Sequence, residues 1–451
     1  MKLWPSKRVW KWIRRGTAAL LVLVVLAGLG FEFWRQHRIE LGDMQVDIAQ
    51  KRVEDRLYTY PYETFDDYRN SKIIGENGND RFVGHFLVEC HNVGVDSPND
   101  PMEDLRQYRA GNIDSAPTDE EFLEWLKLTR GLADELAALQ TFDCIVLDPR
   151  NSAHEFRSHS ISTLFFFAIT QIDALSDRVS VLLRFDRTEQ AVLEYRALRD
   201  VALKMQNWAS IPDSLYGAAL ANMARGTHQE LAGNGLLNAD DYRRISELKY
   251  NPGKQVFDIC LGHMLRLRDD GLTAIYRPDK PSKYTPDTFA WVNPSNYEHW
   301  ESDELIANTV GWHLEREGLA IWIQYSLNCL DAIESGQPIP EMPFTLLFDP
   351  TLLNWHDRHG QLVRPAPRIE MFDFINWFRV KELEGETIEE IRNSVGKHEY
   401  VEFEWSATAC TVRYTPTEDT WALLEETEND SVPYRDEFYK QYPPVVLKFI
   451  D

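Results

Sequence analysis

The feature that most constrains this chain is its beginning. Residues 1–15, MKLWPSKRVWKWIRR, hold six Lys or Arg and no acid, and an apolar run follows from Gly16 to Phe31. A basic head before an uncharged apolar segment is a membrane-targeting pattern, and the excess of positive charge on that side places the N-terminus in the cytoplasm. The run is short against the roughly 20 apolar residues that a bilayer requires. Trp10, Trp12, Phe33 and Trp34 flank it as interfacial aromatics, so residues 16–34 read as one transmembrane signal anchor. A cleaved signal peptide is the competing reading, but LAGLGFEFW lacks the small-x-small cleavage pattern, which favours a retained anchor. The expected partner of residues 16–34 is therefore the lipid bilayer, and the bulk of the chain lies outside the cytoplasm.

Charge sets the next limit. Taking the six head cations from 48 basic residues leaves 42 against 72 acidic ones, so the external part carries about 30 negative charges. Such a surface repels nucleic acid and anionic lipid, which excludes nucleic-acid binding; solubility is its simplest role. A 43% hydrophobic content argues for a packed body rather than disorder. Cys90, Cys144, Cys260, Cys329 and Cys410 are far apart, without the C-x-x-C spacing of zinc or redox sites, and three lie in apolar stretches. They are expected to be mostly free and buried.

Along the chain, residues 35–117 are polar and punctuated by GENGND and VDSPNDP, with one strand-like alternation of Phe82, Gly84, Phe86 and Val88 in RFVGHFLVE. They read as a stalk with a small irregular or β element. Residues 118–335 read as a helical domain. Thr118 and Glu121 form a capping-box pattern ahead of Phe122, Leu126, Leu132, Leu136 and Leu139. The apolar SISTLFFFAITQIDALSDRVSVLLRF and the amphipathic TEQAVLEYRALRDVALKMQ predict two antiparallel helices, and IPDSLYGAALANMARGTHQELAGNG, NADDYRRISEL and GKQVFDICLGHMLRLRD continue the series. Trp322, Ile323, Ser326, Leu327 and Leu330 share one face of a further helix. From Gly336 the texture changes: two helical segments precede the alternating EYVEFEW, TACTVRYTP and PVVLKFI, so residues 336–451 read as a small mixed α+β region. The expected fold is mainly α, an irregular antiparallel helical array with one N-terminal transmembrane helix.

Helix after helix joined by short turns resembles the arrays of tetratricopeptide-like folds, with EQAVLEYRALRDVA carrying the small-aromatic-small spacing of a second repeat helix. No 34-residue period recurs, which makes an irregular array the better description. The order of parts, with ALRDVALKM, LANMARGTHQEL and GLLNADDYRRISEL behind a basic head and one span, also resembles a group of membrane-anchored helical bacterial proteins. That likeness implies no particular activity.

Candidate chemistry is sparse. In H-E-F-R-S-H, His154, Glu155 and His159 resemble the H-E-x-x-x-H motif of the dipeptidyl peptidase III family. The likeness implies a zinc ion on His154 and His159 with Glu155 as catalytic base, a membrane-anchored metal-dependent hydrolase. Five positions rotate the second ring by about 140 degrees on a regular helix, away from the first. The downstream E-E-x-x-A-[ED] helix of that family is absent from RALRDVALKMQN. A polar helix entrance capped by Ser158 or Ser160, with no cofactor, is the preferred reading. His356, Asp357 and His359 read as a solvated turn, and the acids after His299 as partners of a helix dipole. The loop holding Tyr284, Trp291, Tyr297 and Trp300 among prolines is a candidate binding surface, with packing onto the helices as the alternative. No G-x-S-x-G elbow, Walker A loop, dinucleotide fingerprint or EF-hand loop occurs. The sequence therefore points to an anchored scaffold or binding module with a possible protein partner on its helical domain.

Overall fold

A computed structural model describes residues 7–96, 101–109, 111–148, 161–249, 251–270, 312–343, 366–415 and 444–449. The chain is mainly helical with a small three-stranded antiparallel sheet. Helix α1, Lys7–Leu57, runs unbroken for 51 residues, about 76 Å at the ordinary rise. Its apolar stretch from Leu20 to Leu29 is exposed along its length, whereas Val46, Ala49, Val53 and Leu57 are buried. Their spacing of three, four and four residues puts these on one face, which packs against α12, Pro252–Asp270, and α13, Trp312–Glu334.

Residues expected as a stalk thus begin inside a core, and the strand expected at RFVGHFLVE is helical. Helix α2, Phe65–Lys72, precedes α3, Asn79–Arg81, which continues through a π turn, Phe82–Phe86, into α4, Leu87–Asp96. Phe82, Val83, Phe86, Leu87 and Cys90 are buried while Gly84 and Val88 face out. The alternation of Phe82 and Phe86 fits either period, and the packing of Val83 and Leu87 decides for the helix.

The central core gathers α4, α5 (Pro101–Arg109), α6 (Asp119–Leu128), α7 (Arg130–Leu139), α8 (Ile161–Arg184), α9 (Thr188–Lys204), α10 (Ile211–Gly233) and α11 (Ala239–Ile245). The expected capping box at Thr118 and Glu121 is present. Asp186 takes a left-handed conformation in the short turn that reverses the chain between α8 and α9, where an Asp tolerates positive φ. Arg178, its side chain 2% exposed, ties three elements together. It donates twice to Glu194 at 2.8 and 2.9 Å, and to the Leu126 carbonyl and the Thr129 hydroxyl.

In the C-terminal region, α14 (Ala366–Leu383) and α15 (Ile388–Ser394) cover the sheet. Strands β1 (Val401–Trp405), β2 (Ala409–Tyr414) and β3 (Val445–Lys448) pair in the order β1-β2-β3, with Val401 opposite Tyr414 and Cys410 opposite Leu447. Cys410, Val412, Tyr414 and Leu447 point to the covered face, where Phe374 of α14 meets Phe403 at 4.2 Å. Glu402, Glu404 and Arg413 are exposed on the other. All five cysteines are free and buried, as expected.

Candidate functional site

Two places carry the features most relevant to function. The first is α1. It is the one helix among the described residues long and apolar enough to cross a membrane by length and composition. Residues 16–34 span about 28 Å as helix, close to the hydrocarbon thickness. The other end of the helix is fixed to α13 by polar contacts as well as packing. Arg56 donates to Asp331 at 2.7 Å and to Glu334, Arg52 donates to Gln324, and the Tyr60 hydroxyl donates to Glu334 at 2.8 Å. The Arg56 guanidinium also lies over the Tyr60 ring. The exposed apolar stretch and the docked stretch therefore belong to one continuous helix.

The second is a buried polar centre where α9, α10 and α11 meet α14. Asp241 is the third residue of α11 and closes a capping box with Asn238. Its carboxylate accepts two bonds from Arg196 and one from Arg199, each at 2.8 Å. Burial works against its charge, yet these guanidiniums and the Asn238 N–H hold it below the ordinary Asp value. Arg199 also pairs with Asp200, to which Arg244 donates.

Beside this ion cluster lies His228, buried between Tyr195, Tyr242 and Phe372. Asn376 uses its Nδ2 to donate to the Phe372 carbonyl, which turns its Oδ1 toward His228 Nε2 at 2.9 Å. The ring therefore carries its proton on Nε2, and Nδ1 accepts the Tyr195 hydroxyl at 2.6 Å. Burial lowers the imidazole pKa to about 4. Both ring nitrogens have protein partners, so the centre joins α9, α10 and α14.

A further polar site locks an extended segment. Residues 144–148 run between the two large cores, and each N–H is met: Cys144 by the Glu76 carbonyl, Ile145 by the Lys204 carbonyl, Val146 by Asn77, Leu147 by Asp213 and Asp148 by Asn79. Asp213 also accepts from Ala209 N and Ser210 Oγ at the start of α10, and burial raises its pKa to about 7 against these donors.

His154, Glu155 and His159 lie outside the described residues, as do Tyr284, Trp291, Tyr297, Trp300, His299, His356 and His359. Among the described residues no group of His, Cys, Asp and Glu is placed to hold a metal. The sequence reading did not single out Asp241, His228 or Asp373; the partners of Asp241 and His228 lie far along the chain on α9 and α14, and the local signals were S-I-P-D at residues 210–213 and N-A-D-D at residues 238–241, each an N-cap with an acid three residues on. No protein-family model, curated protein or solved structure matches the chain.

Proposed function

We propose that the protein is a single-pass, membrane-anchored extracytoplasmic scaffold or binding module, with its N-terminus in the cytoplasm and its helical body offered to a protein partner. The observation that carries the reading is the division of α1 into an exposed apolar length and a length docked in the core. Nine large apolar residues between Leu20 and Phe31 favour insertion by about 3–5 kcal/mol. That cost of exposure to water argues for lipid around them. From Trp34 to Val46 the helix rises about 18 Å, so the body would stand close to the bilayer rather than on a flexible tether. Its acidic surface keeps it from lying flat on anionic lipid.

A scaffold role is also favoured by the closed nature of the polar centres, which join helices instead of presenting reactive groups. Crosslinking in native membranes, followed by purification of the full chain, tests the reading. A stoichiometric partner crosslinked to residues of the helical body is the expected result. A full chain that crosslinks to nothing at native abundance overturns the scaffold reading.

A further inference from the structure

Asp373 is a half-buried carboxylate. Asp241, Asp213 and Glu194 each accept several hydrogen bonds, whereas Asp373 Oδ1 is shut off from solvent and accepts none among the described residues. It sits on α14 at a seam. Its neighbour Phe372 packs into the central core, while Phe374 and Phe378 pack into the C-terminal core. Asn376, one turn on, holds His228 of α10.

We propose that Asp373 is a proton-sensitive latch between the helical body and the C-terminal region, docked with its carboxyl neutral and loosened when the carboxyl ionises. An ionised carboxylate needs donors on both oxygens, and among the described residues Oδ1 has none, while a neutral carboxyl is far cheaper to bury. The charged groups around it do not reverse that balance. From α10, Arg225 faces it, but that guanidinium is drawn to the Leu248 carbonyl at 2.7 Å. From its own helix, Glu370 repels the charge. His398, in the segment after α15, attracts it weakly and is itself bonded to Glu370 at 3.1 Å. The sheet presents apolar Val401, Phe403 and Val412 to α14, and Arg243 of α11 meets Glu384 three turns away. Burial is the largest influence and raises the Asp373 pKa to about 7.

The sign follows from linkage. An undocked Asp373 ionises near 3.8, so docking holds a proton that the undocked form releases. Docking is strongest in acid, weakens as pH rises toward 7 and then levels off. His228 at the same seam acts in the opposite sense, being neutral when buried and free to protonate when released. The wild type must therefore be compared with a variant at each pH.

The experiment is hydrogen exchange on the full chain in detergent between about pH 5 and pH 7.5, corrected for intrinsic rates, following peptides of α14, β1 and β2 in wild type and Asp373→Asn. The expected result is a wild-type to variant protection ratio that falls by up to tenfold per pH unit up to about pH 7 and is flat above it. Asp373→Ser, smaller and also without a titrating group, gives the same comparison if the amide folds poorly. A ratio independent of pH for the variant that folds overturns the proposal.

Discussion

Val146 and Leu147 are neighbours in the chain and occupy different hydrophobic cores. Val146 belongs to the core that holds Val53, Trp208 and Trp322, while Leu147 belongs to the core that holds Phe82, Leu139 and Tyr216. Cys144 and Ile145 divide in the same way. An extended segment sends successive side chains to opposite sides, so five residues form a seam through the body of the protein.

Asn77 secures that seam by accepting from Val146 N and donating to the Val146 carbonyl, both at 2.9 Å. Asn77→Ala strands both groups, at about 1–3 kcal/mol each. Urea denaturation is expected to show that loss in one transition, with exchange protection falling in α8 and in α12 together. Loss confined to one of them would mean that the segment does not couple the cores.

Asp241 is the more deeply buried of the two carboxylates that pair with the buried Arg199, the other being Asp200. Asp241→Ala is expected to cost about 3–5 kcal/mol, read from chemical denaturation, and adding Arg199→Met is expected to restore part of it, because a buried guanidinium that loses its buried partner costs more than an apolar replacement. A double variant as unstable as the sum of the single ones would contradict the pairing.

His228 ties folding to pH. Its folded pKa of about 4 lies below the ordinary 6.5, so the stability it contributes is full above 6.5 and is lost as pH falls toward 4. Over that window the loss is about 3 kcal/mol. The difference in denaturation free energy between wild type and His228→Gln, which keeps one donor and one acceptor, should shrink by that amount between pH 6.5 and 4. A constant difference would place a charged imidazole in the fold.

The five thiols make a simpler prediction. Burial pushes Cys329 and Cys410 up to about 12 and raises Cys90 and Cys260 as well. A thiol reagent near neutral pH should titrate almost none in the native full chain and five after denaturation. Fast native labelling at any of them would show a locally open core.

Much of the helical order was legible because local signals and packing agree. Thr118 with Glu121, the apolar face from Ala191 to Met205, and the alternation around Cys410 all lie where a short window predicts them. Val46, Ala49, Val53 and Leu57 were hidden by the charged residues between them, so a core-facing helix looked like a stalk. Phe82 to Val88 was ambiguous because Phe82 and Phe86 satisfy both periods. The buried charges were the least legible. Arg178 and Glu194 are 16 residues apart, and His228 and Asn376 are 148 apart, so no local window contains both members of the His228 pair. The motif residues His154, Glu155 and His159 lie outside the described residues.

The central claim is that α1 fixes the body to the outer side of a membrane. The most direct measurement places an epitope tag after Asp451 on the full chain and on a chain lacking residues 1–34, then follows alkaline carbonate extraction and protease access in right-side-out membranes. The account predicts a full chain that resists extraction with its tag cleaved from outside, and a shortened chain that leaves the membrane fraction. A full chain released by carbonate, or a tag protected until the membrane is opened, would contradict it.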